Sequence, residues 1–102
     1  MYGKAVLINV KDNVATVTED VKSGQSIVFL SEQKEKEIEA LDDIPFGHKV
    51  AIREIFLGQD IIKYGEIIGR ATFNIQTGQH VHVHNVEALR GRGDLGGKAN
   101  EN

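Results

Sequence analysis

Apolar and polar positions alternate in short runs along this chain, and the runs predict many short strands and no long helix. Ala5 to Val10 is rich in Val, Ile and Leu and reads as a strand. Lys11-Asp12-Asn13 is turn chemistry. Val14-Ala15-Thr16-Val17-Thr18 alternates and is β-branched, so the two runs predict a hairpin. A third strand is expected over Ser26 to Leu30. Ser31 to Lys36 is polar and charged and reads as a solvated loop. Glu37 to Leu41 fits two periods. Ile38 and Leu41 are three apart, as in a helix, whereas Ile38 and Ala40 alternate; the short strand is preferred. Ile44-Pro45-Phe46-Gly47 holds the only proline, whose fixed φ suits the first corner of a turn. His48 to Ile52, Ile61 to Tyr64 and Glu66 to Thr72 are further extended runs. Gly65 divides the last two, and Ile75-Gln76-Thr77-Gly78 turns the chain into a final strand.

One pattern recurs. Val21 to Ile27, Ile44 to Val50, Ile55 to Ile61 and Ile75 to Val81 each read apolar-x-x-Gly-(Gln/His)-x-apolar. The first apolar residue ends a packed element, glycine supplies the turn at low steric cost, and the second apolar residue starts a strand. The intervals are uneven, so this is not a solenoid repeat. It is turn grammar for a compact all-β fold.

The last of these turns leads into Gly78-Gln79-His80-Val81-His82-Val83-His84-Asn85, which carries three of the four histidines at spacing two. On a strand, His80, His82 and His84 would share one face, with Val81 and Val83 packed on the other. Same-face neighbours stand roughly 7 Å apart, so adjacent imidazoles can converge on one ion or one anionic ligand. Neutral imidazole is a common ligand for transition metals. A divalent metal (iron, manganese or zinc) is the candidate cofactor, and His80, His82 and His84 are its candidate ligands. The competing reading is a half-buried strand whose outer face is histidine.

Composition narrows the classes. With 102 residues, 40% hydrophobic and 26% charged, the chain fits one small globular domain. A net charge of −3 argues against sequence-independent nucleic-acid binding. The absence of cysteine excludes a disulfide scaffold, a thiol nucleophile and a thiolate metal site. No apolar run is long enough to span a bilayer, and the N-terminus carries no signal-peptide cleavage pattern. A cytoplasmic location is therefore expected. After Leu89 the composition changes. The stretch from Arg90 to Asn102 is glycine-rich and almost without apolar residues, so burial cannot offset its ordering entropy. The expected division is a domain over residues 1–90 and a flexible tail over 91–102. A docking arm whose arginines pair with carboxylates is the functional alternative.

Three stretches then point to a family. Ile44-Pro45-Phe46-Gly47-His48-Lys49-Val50-Ala51, Ile62-Lys63-Tyr64-Gly65-Glu66-Ile67-Ile68-Gly69 and Gly78 to Asn85 closely resemble, in this order, the amino-terminal domain of the altronate and galactarate dehydratase family. The same domain type occurs as the small subunit of the related sulfolactate sulfo-lyase. The resemblance covers roughly residues 4–90. It implies a mainly β fold: a small β-clip (SAF, antifreeze-like) domain of short strands. It implies lyase chemistry, in which water or sulfite is eliminated from a hydroxy acid. In fused family members a much larger carboxy-terminal region follows. The implied role is thus an accessory subunit of a two-chain lyase, inactive alone. It would help to bind a hydroxy-acid (sugar-acid) substrate or its metal while a larger catalytic chain carries most of the elimination. A stand-alone sugar-acid or metal-binding module without catalysis is the alternative, and a homo-oligomer is a further expected assembly.

Several residues are candidates for substrate binding. His48 and Lys49 follow a tight turn and can grip a carboxylate, although His48 can equally bond the turn backbone. Lys63 and Tyr64 set a cation and a phenol at a strand corner, where Tyr64 can also serve as a core aromatic. Arg70 can meet substrate or partner, or stand as an exposed strand cation. Asn85 can orient His84 or simply begin a turn.

Overall fold

The β-branched runs become nine strands in the computed structural model, which describes residues 2–89. Arg90 and the glycine-rich stretch expected as a tail lie outside the described residues. The strands are β1 (Tyr2–Val6), β2 (Val14–Val17), β3 (Ser26–Ser31), β4 (Lys34–Glu39), β5 (Lys49–Ala51), β6 (Asp60–Lys63), β7 (Glu66–Ala71), β8 (His80–Val81) and β9 (Val86–Ala88). They form a six-stranded sheet in the order β4-β3-β1-β2-β5-β8 and a three-stranded sheet in the order β6-β7-β9. β1 and β3 run parallel, and every other strand pair is antiparallel. No helix forms among the described residues, and none is long and apolar enough to cross a membrane. This all-β architecture of short strands is the one that the β-clip resemblance implies.

The recurring motif builds both halves. In each copy the residue after glycine donates its N–H to the carbonyl three residues back: Gln25 to Lys22, His48 to Pro45, Gln59 to Phe56 and Gln79 to Gln76. The glycine between them has φ between 85° and 96°, which is type II turn geometry. Copies associate in pairs. Val21 and Ile44 exchange both backbone hydrogen bonds, as do Ile55 and Ile75. The first pair, with Ile27 and Val50, is buried in one core cluster, and the second, with Ile61 and Val81, in another. Burying each such side chain contributes about 1.5–3 kcal/mol. The turn grammar therefore specifies two small cores, each shared by two copies.

Asn13 joins the two sheets. Its side-chain amide donates to the Asp60 carbonyl at 2.9 Å and its Oδ1 accepts the Ile62 N–H at 2.8 Å, so a buried side chain acts as an extra strand partner for β6.

Four local expectations need correction. β1 ends at Val6 rather than Val10, because Asn9 and Asp12 bond each other's backbone and pull residues 7–13 into a loop that exposes Ile8 and Val10. The solvated loop expected over Ser31 to Lys36 shrinks to Glu32 and Gln33, both left-handed with φ of 52° and 67°, and β4 begins at Lys34. That two-residue geometry matches the twist of a hairpin. The charged side chains of β4 then line a sheet edge and discourage pairing with another chain. Pro45 occupies the first position of its turn, not the first corner. Finally, the alternating His-Val run leaves the sheet after Val81, for a reason that lies in the site itself.

Candidate functional site

The second motif copy differs from the other three in a way that creates the site. In those three, the glutamine side chain caps its own turn. Gln25 Oε1 accepts the Lys22 N–H at 2.6 Å, Gln59 Oε1 the Phe56 N–H at 2.7 Å, and Gln79 Oε1 the Gln76 N–H at 2.7 Å. In the second copy the corresponding residue is Pro45, which has no N–H to cap. Asp20 accepts the Phe46 N–H at 2.7 Å, as Asp43 does for Ser23 and Asn74 for Leu57 in the first and third copies, so this turn keeps that contact and lacks only the glutamine cap. Position 48 is thereby released from turn capping, and the residue there is histidine.

His48 meets the histidines of the fourth copy. Its Nδ1 lies 2.8 Å from His80 Nε2, a hydrogen bond in which one ring donates and the other accepts. β5 and β8 set this approach, with Val50 opposite His80 in the register. The His80 N–H is tied to Asp42 Oδ2 at 2.9 Å. His82 stacks on His48 with ring centroids 4.2 Å apart, and the His80 and His82 rings lie 5.4 Å apart and 10° from parallel. His84 is exposed, 5.2 Å from His80 and tilted by 38°.

Asn85 shapes this arrangement. Its Oδ1 accepts the His82 N–H at 3.0 Å, its Nδ2 donates to the His80 carbonyl at 2.9 Å, and its own N–H donates to the His82 carbonyl at 3.1 Å. The chain curls into a turn over residues 82–85 instead of continuing as a strand. Val83, expected in the core, is 82% exposed. The one-face arrangement of three histidines on a strand is thus replaced by a strand-and-turn arrangement. The tight trio is His48, His80 and His82, whose ring nitrogens lie within 4.8 Å of one another.

The surroundings disfavour protonation of His80 and His82. Burial pulls the His80 pKa below 6.5, with help from His48, His84 and His82, while Asp42 pulls the other way. Burial also lowers His82, and the charges of His48, Lys49 and His84 add to it. Lys49 is lowered by burial and by neighbouring Lys63. Imidazoles that resist protonation at His80 and His82, beside the Lys49 cation, make a site that offers nitrogen lone pairs and attracts anions.

The other candidates fall in different places. Lys63 acts on Lys49 through its charge, and its Nζ stands 4.8 Å above the Tyr64 ring. Tyr64 itself is exposed, at the left-handed corner between β6 and β7 rather than in a core. Arg70 faces Asp60 across the β6–β7 pair at 3.9 Å, both part-exposed, a contact of small energetic weight. Both polar ends of the Asn85 side chain are engaged within its turn, so it positions His80 and His82. Asp42 was not foreseen, and nothing in its sequence setting separates it from the chain's other acids. The role of His48 beside the later histidines is legible in hindsight, in the coincidence of a proline and a histidine where the other copies have a free N–H and a glutamine.

Residues 3–89 match the family described as the altronate/galactarate dehydratase SAF domain. The chain is 41% identical over 76 residues to the (2R)-sulfolactate sulfo-lyase subunit alpha of Chromohalobacter salexigens, covering 72% of this chain and 81% of that one. It is 40% identical over 63 residues to the subunit of the same name from Paracoccus pantotrophus, covering 94% of it. It is also 37% identical over 82 residues to the altronate dehydratase of Bacillus subtilis, but there the match spans 16% of the longer protein.

Proposed function

The chain belongs to the altronate/galactarate dehydratase SAF domain family, and on that premise we propose that it is the accessory subunit of a two-chain lyase acting on a hydroxy acid. The observation that carries this reading is one of proportion. The chain spans most of two relatives named as subunit alpha of a lyase, and only a small fraction of the dehydratases. A larger partner chain would then supply most of the elimination machinery.

Elimination from a hydroxy acid needs a base for the proton beside the carboxylate and assistance for the departing group. Imidazoles whose protonation is disfavoured, as at His80 and His82, suit the first task. The His48–His80 hydrogen bond gives a proton taken up by one ring a second ring to pass to. His48, His80 and His82 are also the residues that would hold a divalent metal such as iron, manganese or zinc. The donor set fits iron or zinc, for which imidazole nitrogen is a good ligand, and fits manganese less well, since that ion favours oxygen donors. The rings would have to turn toward a shared ion, since the ligand atoms of the trio lie within 4.8 Å of one another. Two nitrogens on one tetrahedral ion, each about 2.0–2.1 Å from it, lie about 3.3 Å apart, against 2.8 Å for the hydrogen-bonded pair. A bound ion would supply Lewis-acid assistance to the leaving oxygen.

The test is co-expression with a larger lyase chain from the same genome, purification through a tag on this chain, and a screen of hydroxy acids for elimination. The reading expects a stable complex that turns over a hydroxy acid, and no turnover from either chain alone. Turnover by this chain alone, or by the larger chain at full rate without it, would contradict the accessory role. Hydroxy-acid or metal binding without any such complex would favour a stand-alone binding module.

A further inference from the structure

Beside the histidine cluster lies a cleft of about 180 Å³ lined by Lys49, Ile68, His82, Val83, Val86 and Ala88. Four of these residues are apolar, Lys49 brings a positive charge, His82 a ring nitrogen, and no carboxylate is among them. Lys49 is half-buried and enters from β5, with the charge of Lys63 close by. β7 and β9 supply the apolar side. The volume is below the roughly 300–1,000 Å³ of a pocket for a whole drug-sized ligand, so it suits one end of a small molecule. His82 belongs to both features: it lines the cleft and stacks on His48.

From this juxtaposition we infer that the Lys49–His82 cleft is an anion subsite, which takes the carboxylate or sulfonate end of a short hydroxy acid and presents the rest of the molecule to the histidine trio. The inference deepens the lyase reading and rests on it for the choice of ligand, but the cleft is testable without turnover. Charge and shape are its two requirements. The Lys49 ammonium supplies an ion-pairing donor in a partly desolvated setting, where such hydrogen bonds are stronger than in water. The apolar side restricts the size of the substituent next to the anionic group. A hydroxyl one carbon away from the carboxylate would then lie on the histidine side of His82.

The experiment is a titration of the full-length, metal-free chain with sodium lactate, monitored through the methyl resonances of Ile68, Val83, Val86 and Ala88. Propane-1,2-diol, of similar size and uncharged, is the control. Saturable shifts confined to these methyls are expected with lactate and not with the diol. Lys49→Gln should weaken lactate binding roughly tenfold or more, as expected on losing a hydrogen bond to a charged group. Lys34→Gln changes the net charge equally on β4, at the far edge of the sheet, and should leave binding unchanged. Ala88→Leu keeps every charge, fills the cleft from β9, and should abolish the shifts. Equal shifts with the diol, undiminished binding by Lys49→Gln or Ala88→Leu, or no saturable shift up to about 50 mM, where even a millimolar site would be filled, would each overturn the inference. Lactate binding alongside a failed elimination assay would reject the lyase reading and keep the cleft. Turnover without lactate binding would do the reverse.

Discussion

Replacing Gly78 by alanine separates two costs that glycine avoids in this fold. Gly24 and Gly78 occupy the same position of the same turn, with φ of 93° and 96°. An alanine at either must adopt a left-handed backbone, at about 1–2 kcal/mol. At Gly24 the added Cβ meets nothing within 4 Å. At Gly78 it would overlap the Glu39 carbonyl oxygen and come within 3.3 Å of Leu41 Cγ. The turn cannot back away freely. The Gly78 N–H is bonded to the Ala51 carbonyl at 2.8 Å, and its carbonyl accepts the Leu41 N–H at 2.8 Å. Overpacking of this kind adds about 1–3 kcal/mol. Gly24→Ala should therefore cost about 1–2 kcal/mol and Gly78→Ala about 2–5, with Tm lowered by roughly 4–8 °C for each kcal/mol in a domain of this size. Urea unfolding of both variants gives the comparison from the two midpoints. If the two lose the same stability within about 0.5 kcal/mol, the close approach of the last turn to Glu39 is not a feature of the folded protein.

The released turn makes a second prediction. His48→Gln alone leaves the new glutamine without an N–H at Pro45, whereas adding Pro45→Ala restores the cap found in the other three copies. Urea unfolding should place the double variant about 0.5–1.5 kcal/mol above the single one, and no difference would mean that glutamine capping does not explain the motif. A third concerns pH. In the metal-free chain the folded pKa values of His80 and His82 lie below their ordinary 6.5, so the unfolded state takes up protons first as the pH falls. Stability contributed by the neutral cluster is complete above 6.5, declines as the pH falls through that value, and levels off below the folded pKa values. Urea midpoints measured between about pH 5 and 8 should fall on acidification, and His80→Gln with His82→Gln should flatten the dependence. Midpoints that rise on acidification would contradict the shifts.

Much of this architecture is written locally. Alternation marked β2 and β7, and the four glycine turns announced where strands begin, because each requirement involves residues only a few positions apart. Expectation failed where distant or polar contacts decide. β4 is a run of charged residues that becomes a strand because β3 supplies its partner along the whole length. β9 pairs with β7 through residues that carry no strand signature of their own. The histidine run alternates well enough to continue as a strand, yet hydrogen bonds from one side chain, Asn85, turn it outward at Val83. The trio is closed by His48, 32 residues before His80, and only the sheet register brings them together. The chemistry of the site was legible as histidine and lysine, whereas its membership depended on tertiary structure.

The most direct test of the account is the hydroxy-acid elimination rate of the complex assembled from the larger chain and this chain carrying His48→Gln, His80→Gln and His82→Gln together. The assembled variant should bind its partner as the native chain does and lose at least roughly 10²-fold in turnover, the scale of a lost acid–base group. Native turnover from that complex would show that the cluster is only a surface and that the chain's part in the enzyme lies elsewhere.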